Sequence, residues 1–397
     1  MDRAWIDGRA VAIDAAIAEA ARLLSLGRLP VIAGLDCDVL GAREAIALAR
    51  RLGGACDYDH FFGMQPAIDA MRETGALVTT PNEARLRADM LLMVGARMGV
   101  DWPDIAERLM PPEGSATERR MVWLCPDDCG RTGDTARQYG RVLGERTADL
   151  PALIAALRAR VAGRPVDAAT LRLTSPPPPP PPRRAQGAAA GKARPRSKPG
   201  PTVAEIDALA SELKAAKFGV AVWAPRDLDA LATEMLFGLI DDLNAHTRFA
   251  GVPLWRTERG PGVAQACGWL TGFPPPVGFG RGKPEHDAWR FDSERLVESG
   301  EADCVLWISV FSQLAPWEPQ APDVVIGFHR IRQDLAEVHR AHVYIGAGCP
   351  GIDHDGVLYD LDTGTIAPEP AVDPTDAPSV AEILARIAAA LPERAPC

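Results

Sequence analysis

No stretch of the 397 residues approaches the roughly 18 to 20 consecutive apolar positions that a membrane-spanning helix needs. Residues 1–24 alternate acids, bases and apolar groups like an amphipathic helix, and they lack the unbroken apolar centre of a secretory signal. Cytoplasmic residence is therefore expected. Eight cysteines scattered over this length are too dilute for the disulfide framework of a small secreted protein, so reduced thiols are expected. Clustered cations are scarce as well. Six basic residues (Arg183, Arg184, Lys192, Arg194, Arg196, Lys198) fall in one acid-free run, and setting them aside takes the formal net charge from -10 to -16. Nucleic acid and anionic membrane are excluded as partners of the rest, because binding to either rests on clustered positive charge.

What is present is organised around Val31 to Asp59. The apolar run Val31-Ile32-Ala33 meets Gly34, crosses a polar turn holding Asp36 and Asp38, and then takes helical spacing at Ala42, Ala45, Ile46, Ala49 and Leu52. Arg50 and Arg51 suit the negative end of that helix, and Gly53-Gly54 stops it before the chain extends again through Ala55-Cys56. This strand, helix, strand unit brings a strand's carboxyl end and a helix's amino end to one rim, where doubly wound sheets bind ligands. Within it there is neither a G-x-G-x-x-G nor a G-x-x-x-x-G-K-[ST], so a dinucleotide or triphosphate seat is not indicated there.

The alternation continues. Strands are expected at Val31 to Ala33, Leu77 to Thr79, Met90 to Val94 and Met121 to Leu124, with helices over 41–52, 65–73, 103–110 and 149–161. A second array follows: helix 202–216, strand Gly219 to Trp223, helix 229–245, strands Val305 to Val310, Val324 to Phe328 and His342 to Ile345, and a closing helix near Ser379 to Leu391. Between the arrays, seven prolines (Pro176 to Pro182) lead into a basic, alanine- and glycine-rich stretch with nothing to bury. The fold class predicted is α/β, two doubly wound, Rossmann-like parallel-sheet domains joined by a proline-rich linker. The expected division is an N-terminal helical segment 1–27, a first domain 28–171, a linker 172–201, a second domain 202–346, and a segment 347–397 packing back on the domain seam. The linker reads as a plain tether, with docking of a proline-recognising module as the alternative.

Few motifs carry chemistry. Cys125 and Cys129 are spaced C-x-x-x-C, outside the redox C-x-x-C spacing, and no second pair completes a four-ligand metal set. His329, His339, His342 and His354 gather late in the chain, and Asp353-His354-Asp355 would form an acid/base or metal site if it folded onto a pocket; histidines capping turns are the plainer reading. Residues 246–291 combine many glycines and prolines with Trp255, Trp269, Phe273, Phe279 and Trp289, and interleave Arg248, Arg256, Arg259, Arg281 and Lys283. This segment reads either as a long recognition loop gripping an anionic ligand or partner, or as an irregular piece packed at a domain seam.

The order of elements, with Asn244-Ala-His-Thr-Arg-Phe249, Gly268-Trp-Leu-Thr-Gly-Phe-Pro274, Gly278-Phe-Gly-Arg-Gly-Lys-Pro284 and Gly351-Ile-Asp-His-Asp-Gly-Val-Leu-Tyr359, resembles the B subunit of formylmethanofuran dehydrogenase, in the molybdopterin oxidoreductase superfamily. The resemblance spans most of the chain outside the linker. Members that catalyse open with a cysteine-rich iron-sulfur motif and hold molybdenum or tungsten on a cysteine or selenocysteine just after the strand matching Gly53 to Asp57. Here no cysteine precedes Cys37, and Tyr58-Asp-His-Phe-Phe-Gly-Met-Gln65 contains no thiol. Cys56 lies nearby but in the strand before the turn.

That departure makes the chain similar to the beta subunits of formyltransferase/hydrolase complexes of methylotrophic bacteria. In those, the resemblance implies, a formyl group passes from tetrahydromethanopterin through a methanofuran-like carrier and is released as formate by sister subunits. The implied role is structural and non-catalytic. It carries no molybdopterin, iron-sulfur cluster or metal in this chain, and its partners are hydrolase-like, formyltransferase and further structural subunits. Arg256, Arg259, Arg281 and Lys283 are the candidate contacts to an anionic carrier, and no catalytic residue is assigned. Two other readings stay open: a divergent molybdopterin-dependent catalytic subunit, and a two-lobed small-molecule-binding protein.

Overall fold

In the computed structural model the described residues are 4–58, 64–115, 118–126, 131–144, 146–167, 200–255, 260–311, 322–329 and 341–392. In chain order the strands are β1 (Ala4–Ile6), β2 (Arg9–Val11), β3 (Pro30–Asp36), β4 (Ala55–Cys56), β5 (Met90–Val94), β6 (Arg120–Leu124), β7 (Arg141–Leu143) and β8 (Phe218–Trp223). They continue with β9 (Arg248–Pro253), β10 (Val277–Gly278), β11 (Glu285–His286), β12 (Cys304–Ser309), β13 (Asp323–Phe328), β14 (Val343–Ala347), β15 (Gly356–Asp360) and β16 (Thr365–Glu369). The chain divides into two compact units, one made of Met1–Gln65 with Trp255–Cys397 and the other of Pro66–Leu254.

The first unit is built on a mixed sheet ordered β11-β10-β4-β3-β12-β13-β14-β1-β2. Its middle five strands run parallel, and antiparallel strands finish both edges. Numbered by appearance, the parallel set reads 2-1-3-4-5, so the winding direction reverses between β3 and β12. Every residue of β12 and β14 is buried, as is β3 up to Leu35, which is why these strands read as unbroken apolar runs rather than alternating ones. The helix Val39–Leu52 begins where Asp38 accepts the Gly41 N–H (2.8 Å) and ends at Gly53 in the left-handed conformation. The closing helix Val380–Ala390 packs on Val39–Leu52 and on the helix Ile13–Leu26.

The second unit holds a wholly parallel sheet ordered β7-β6-β5-β8-β9, or 3-2-1-4-5 by appearance, with its reversal between β5 and β8. Its core joins Leu92, Val94, Leu124 and Ala221 of the sheet to Leu153, Leu157, Leu209 and Leu236 from the helices Leu150–Val161, Val203–Lys214 and Ala230–Asn244. Parallel sheets clothed by helices are thus the architecture, as the alternation of periods predicts.

Several boundaries differ from expectation. The consecutive domains 28–171 and 202–346 give way to nested units, because β12 pairs with β3 (Val305 opposite Val31) and β8 pairs with β5 (Val220 opposite Leu91). Residues 1–27 are only partly helical: β1 and β2 form a hairpin on the sheet edge, Trp5 lying opposite Tyr344, before the helix Ile13–Leu26. Leu77 to Thr79 makes an isolated bridge at Val78 to Gly251 instead of a full strand, and 103–110 contains only the short helix Ile105–Arg108. Residues 347–392 belong to the first unit. The stretch 246–291 is far more regular than its composition suggests, supplying β9, the helix Gly260–Thr271, β10 and β11. The expected linker lies outside the described residues apart from Gly200 and Pro201.

Candidate functional site

The reversal point of the first unit gathers polar side chains at the carboxyl ends of its parallel strands. Between Trp307 and Ser309 the pairing of β12 with β3 slips, with Gly34 (φ 82°) and Leu35 (φ 50°) absorbing the extra length as a bulge. Gly34 is required there, since an added Cβ would stand 2.5 Å from the Ile308 carbonyl oxygen. The bulge delivers Asp36 to the rim, where its Oδ2 lies 3.4 Å from the Ser309 hydroxyl while its carbonyl accepts the Val310 N–H (2.9 Å). Asp38 is consumed by its cap and by the Val357 N–H (3.2 Å) on its second oxygen.

At the end of β13, His329 Nε2 stands 3.0 Å from Asp353 Oδ1 without hydrogen-bond alignment. Asp353 is fully buried and receives the Cys349 N–H (2.8 Å) and the Thr375 hydroxyl (3.2 Å). Its neighbours are also engaged locally: His354 Nδ1 donates to the Asp355 carbonyl (2.8 Å), and Asp355 accepts the Ala371 N–H (2.9 Å). The Asp353-His354-Asp355 triplet therefore folds as a tethered turn, the plainer of its two readings. His342 is elsewhere, between Asp7 (2.8 Å) and Glu19 (3.4 Å), and His339 lies outside the described residues. Gly346-Ala-Gly348-Cys-Pro-Gly351 has glycines at fingerprint spacing across the end of β14, yet it runs into this turn and not into a helix, so it offers no helix amino end to a pyrophosphate.

Two buried carboxyls were not read as site groups from the sequence: Asp57, and Asp227, which the sequence offers with Asp229 as a cap for the helix Ala230–Asn244 and which leaves that cap to Asp229. Asp57, at the end of β4, accepts the Ser293 N–H (2.9 Å), the Ser293 hydroxyl (2.8 Å) and the Tyr58 N–H (2.7 Å); burial pushes its pKa up to about 7 despite those donors. In the second unit Asp227 fills the reversal point between β5 and β8. It accepts the Arg97 N–H (2.7 Å), and a Cβ on Gly95 (φ 92°) would meet its Oδ2 at 2.3 Å, so the chain's own carboxylate holds this crevice. Burial raises its pKa to about 6, opposed by the Arg97 N–H and guanidinium. The only sequence signal for either is an isolated acid one to four residues past a buried strand.

Of the four candidate carrier contacts, two are among the described residues. Arg256 and Arg259 lie outside the described residues. Arg281 and Lys283 are exposed on the connection between β10 and β11, with Arg281 paired to Glu285 (3.2 Å).

A sulfur-held metal centre fits the described residues poorly. Cys37 and Cys56 are buried and their thiols are pushed well above the ordinary pKa, for Cys37 by burial and then by Asp38 and Asp36, for Cys56 by burial and then by Cys267 and Asp57. Both side chains are closed into the core of the first unit. Among the described residues no three His, Cys, Asp or Glu side chains converge to hold a metal. Cys125 is buried with φ 49°, and its spacing partner Cys129 lies outside the described residues.

Two doubly wound sheets of different strand order, one nested within the other along the chain, define a two-unit α/β protein. No family model matches the chain. It is 33% identical over 395 residues to the B subunit of the formyltransferase/hydrolase complex of Methylorubrum extorquens, covering 98% of this chain and 97% of that one. The B subunit of the tungsten-containing formylmethanofuran dehydrogenase 2 of Methanocaldococcus jannaschii is 24% identical over 393 residues, covering 93% and 81%. The crystal structure of the formyltransferase/hydrolase complex from Methylorubrum extorquens with methylofuran contains a chain that matches with a TM-score of 0.78, 33% identity and 97% coverage of both. The chain belongs to the family of formyltransferase/hydrolase complex B subunits, related to the B subunits of formylmethanofuran dehydrogenases, as its motifs imply.

Proposed function

We propose that this chain is a structural, non-catalytic subunit of a formyltransferase/hydrolase complex, which moves a formyl group from formyl-tetrahydromethanopterin through a methanofuran-like carrier to formate. The observation that carries this reading is end-to-end likeness, in sequence and fold, to a subunit seen inside such a complex. The lack of a thiol in the sequence from Tyr58 to Gln65, where the resemblance places the metal-holding residue, supports a chain that holds no molybdenum or tungsten. Its partners in this reading are hydrolase-like, formyltransferase and further structural subunits. It works in the cytoplasm; no helix among the described residues is long and apolar enough to cross a membrane.

Formate release by the co-expressed subunits, assayed with and without this chain, tests the role. Loss of assembly and activity on omission, both restored by adding the chain, is expected; full activity in its absence overturns it. Arg281 and Lys283, with Arg256 and Arg259, steer the carrier's anionic tail. The R281E/K283E variant is expected to retain less carrier at low salt and the same amount at high salt. Unchanged low-salt retention overturns this role for the pair.

A further inference from the structure

In the first unit, four large apolar side chains stay in water near one edge of the sheet: Trp269 and Leu270 at the end of the helix Gly260–Thr271, Phe273 just beyond it, and Trp289 past β11. The two tryptophans are about 70% exposed, at 68% for Trp269 and 72% for Trp289. The surroundings fix two of these groups, Trp289 and Phe273, instead of leaving them loose. Arg295 lays its guanidinium 4.4 Å from the centre of the Trp289 ring and is itself held by the Trp289 and Arg290 carbonyls (2.8 Å each) and by Glu301 (2.6 Å). Phe273 stacks on His286, whose Nδ1 donates to the Pro276 carbonyl (2.9 Å), and the Phe273 N–H is tied to the Thr271 hydroxyl (3.0 Å). A rigid aromatic held in solvent has already lost the freedom that binding would otherwise cost, which is the signature of an interface anchor.

Charge identifies the kind of partner. The chain is acidic, yet this lip carries Arg50, Arg281, Lys283 and Arg290. Glu285 serves both Arg281 (3.2 Å) and Arg290 (3.9 Å), while Asp287 is turned to the Trp289 and Arg290 N–H groups. Among the described residues neither Lys283 nor Arg50 has a carboxylate in ion-pair range; Arg50 instead donates to the Leu270 carbonyl (2.8 Å) and sits 5.6 Å from the centre of the Phe279 ring. We infer that this lip docks a sister subunit of the complex through an apolar recess rimmed by aspartates and glutamates, Trp269 and Trp289 entering the recess and Arg50 and Arg290 meeting the carboxylates. This rests on the reading of the previous subsection and adds the surface and the partner's chemistry to it.

The test uses the full chain co-expressed with its sister subunits, one of which carries the affinity tag. W269A/W289A should weaken the complex by about 30-fold or more per tryptophan, read as a dissociation constant. Leu26→Ala and Val372→Ala, at exposed apolar positions away from the lip, should bind as wild type. Arg50→Glu should weaken association at low salt and much less at high salt. Wild-type affinity in the double tryptophan variant, with the wild type assembling, overturns this inference and leaves the structural-subunit reading standing. If the double variant only loses self-association, the occupant is a second copy and the inference fails. If the wild-type chain itself does not assemble with the sister subunits, the earlier reading fails and takes this one with it. Circular dichroism of each variant separates lost binding from lost folding.

Discussion

Replacing Asp57 by asparagine gives a direct test of what burial does in the first unit. The wild-type carboxyl has a pKa raised from 3.8 to about 7, chiefly by burial, against three hydrogen-bond donors. The folded chain therefore keeps a proton that the unfolded chain sheds near pH 4. Stability from this group is complete below about pH 4 and is lost as pH rises through about 7. A shift of three units is worth about 4 kcal/mol, of which about 2 to 3 kcal/mol falls between pH 5 and pH 8. Asparagine does not titrate, so whatever its amide costs against Ser293 and Tyr58 is the same at both values. Urea denaturation of the full chain at pH 5 and pH 8 should show the D57N variant gaining about 2 to 3 kcal/mol on wild type as pH rises. Parallel pH profiles would refute the assignment of a buried, neutral carboxyl.

Other consequences are equally accessible. Gly34→Ala puts a side chain at φ 82° and a Cβ 2.5 Å from the Ile308 carbonyl oxygen, so the midpoint of thermal unfolding should fall by an amount equivalent to about 3 kcal/mol or more. Arg119 donates to the carbonyls of Ala84 (3.0 Å), Arg85 (2.9 Å), Ala88 (2.9 Å) and Leu109 around the helices Pro81–Arg87 and Ile105–Arg108. Arg119→Lys loses that fork and should cost about 2 kcal/mol in denaturant titration. Ser379→Ala breaks the reciprocal cap with Glu382 and should cost about 1 kcal/mol, with faster amide exchange in the last helix as its local sign.

Features set by neighbours in sequence were legible. The helix Val39–Leu52 could be bounded because Asp38 and Gly53 act within one turn of its ends, and β5 and β8 because all their residues are apolar and buried. Strand neighbours were not, since β12 pairs with β3 across some 270 residues and alternating periods say nothing of order. The segment 246–291 read as loop because its glycines look like turn residues. Gly251 in β9 is small because the Trp223 ring would lie 2.7 Å from an added Cβ, and Gly278 in β10 because the Phe291 ring would lie 2.1 Å away. These glycines make room for aromatics inside sheets, a tertiary cause with no local signature. The candidate site was legible only as an absence of sulfur ligands, while Asp57 and Asp227 became visible once burial and partners were known.

Native mass spectrometry of the complex purified on a sister subunit, with molybdenum, tungsten and iron measured on the same sample, tests the central claim most directly. The account predicts this chain at full mass in stoichiometric assembly, with none of the three metals bound to it. A chain that stays monomeric beside assembled sister subunits, or one that carries stoichiometric molybdenum or tungsten, would contradict it.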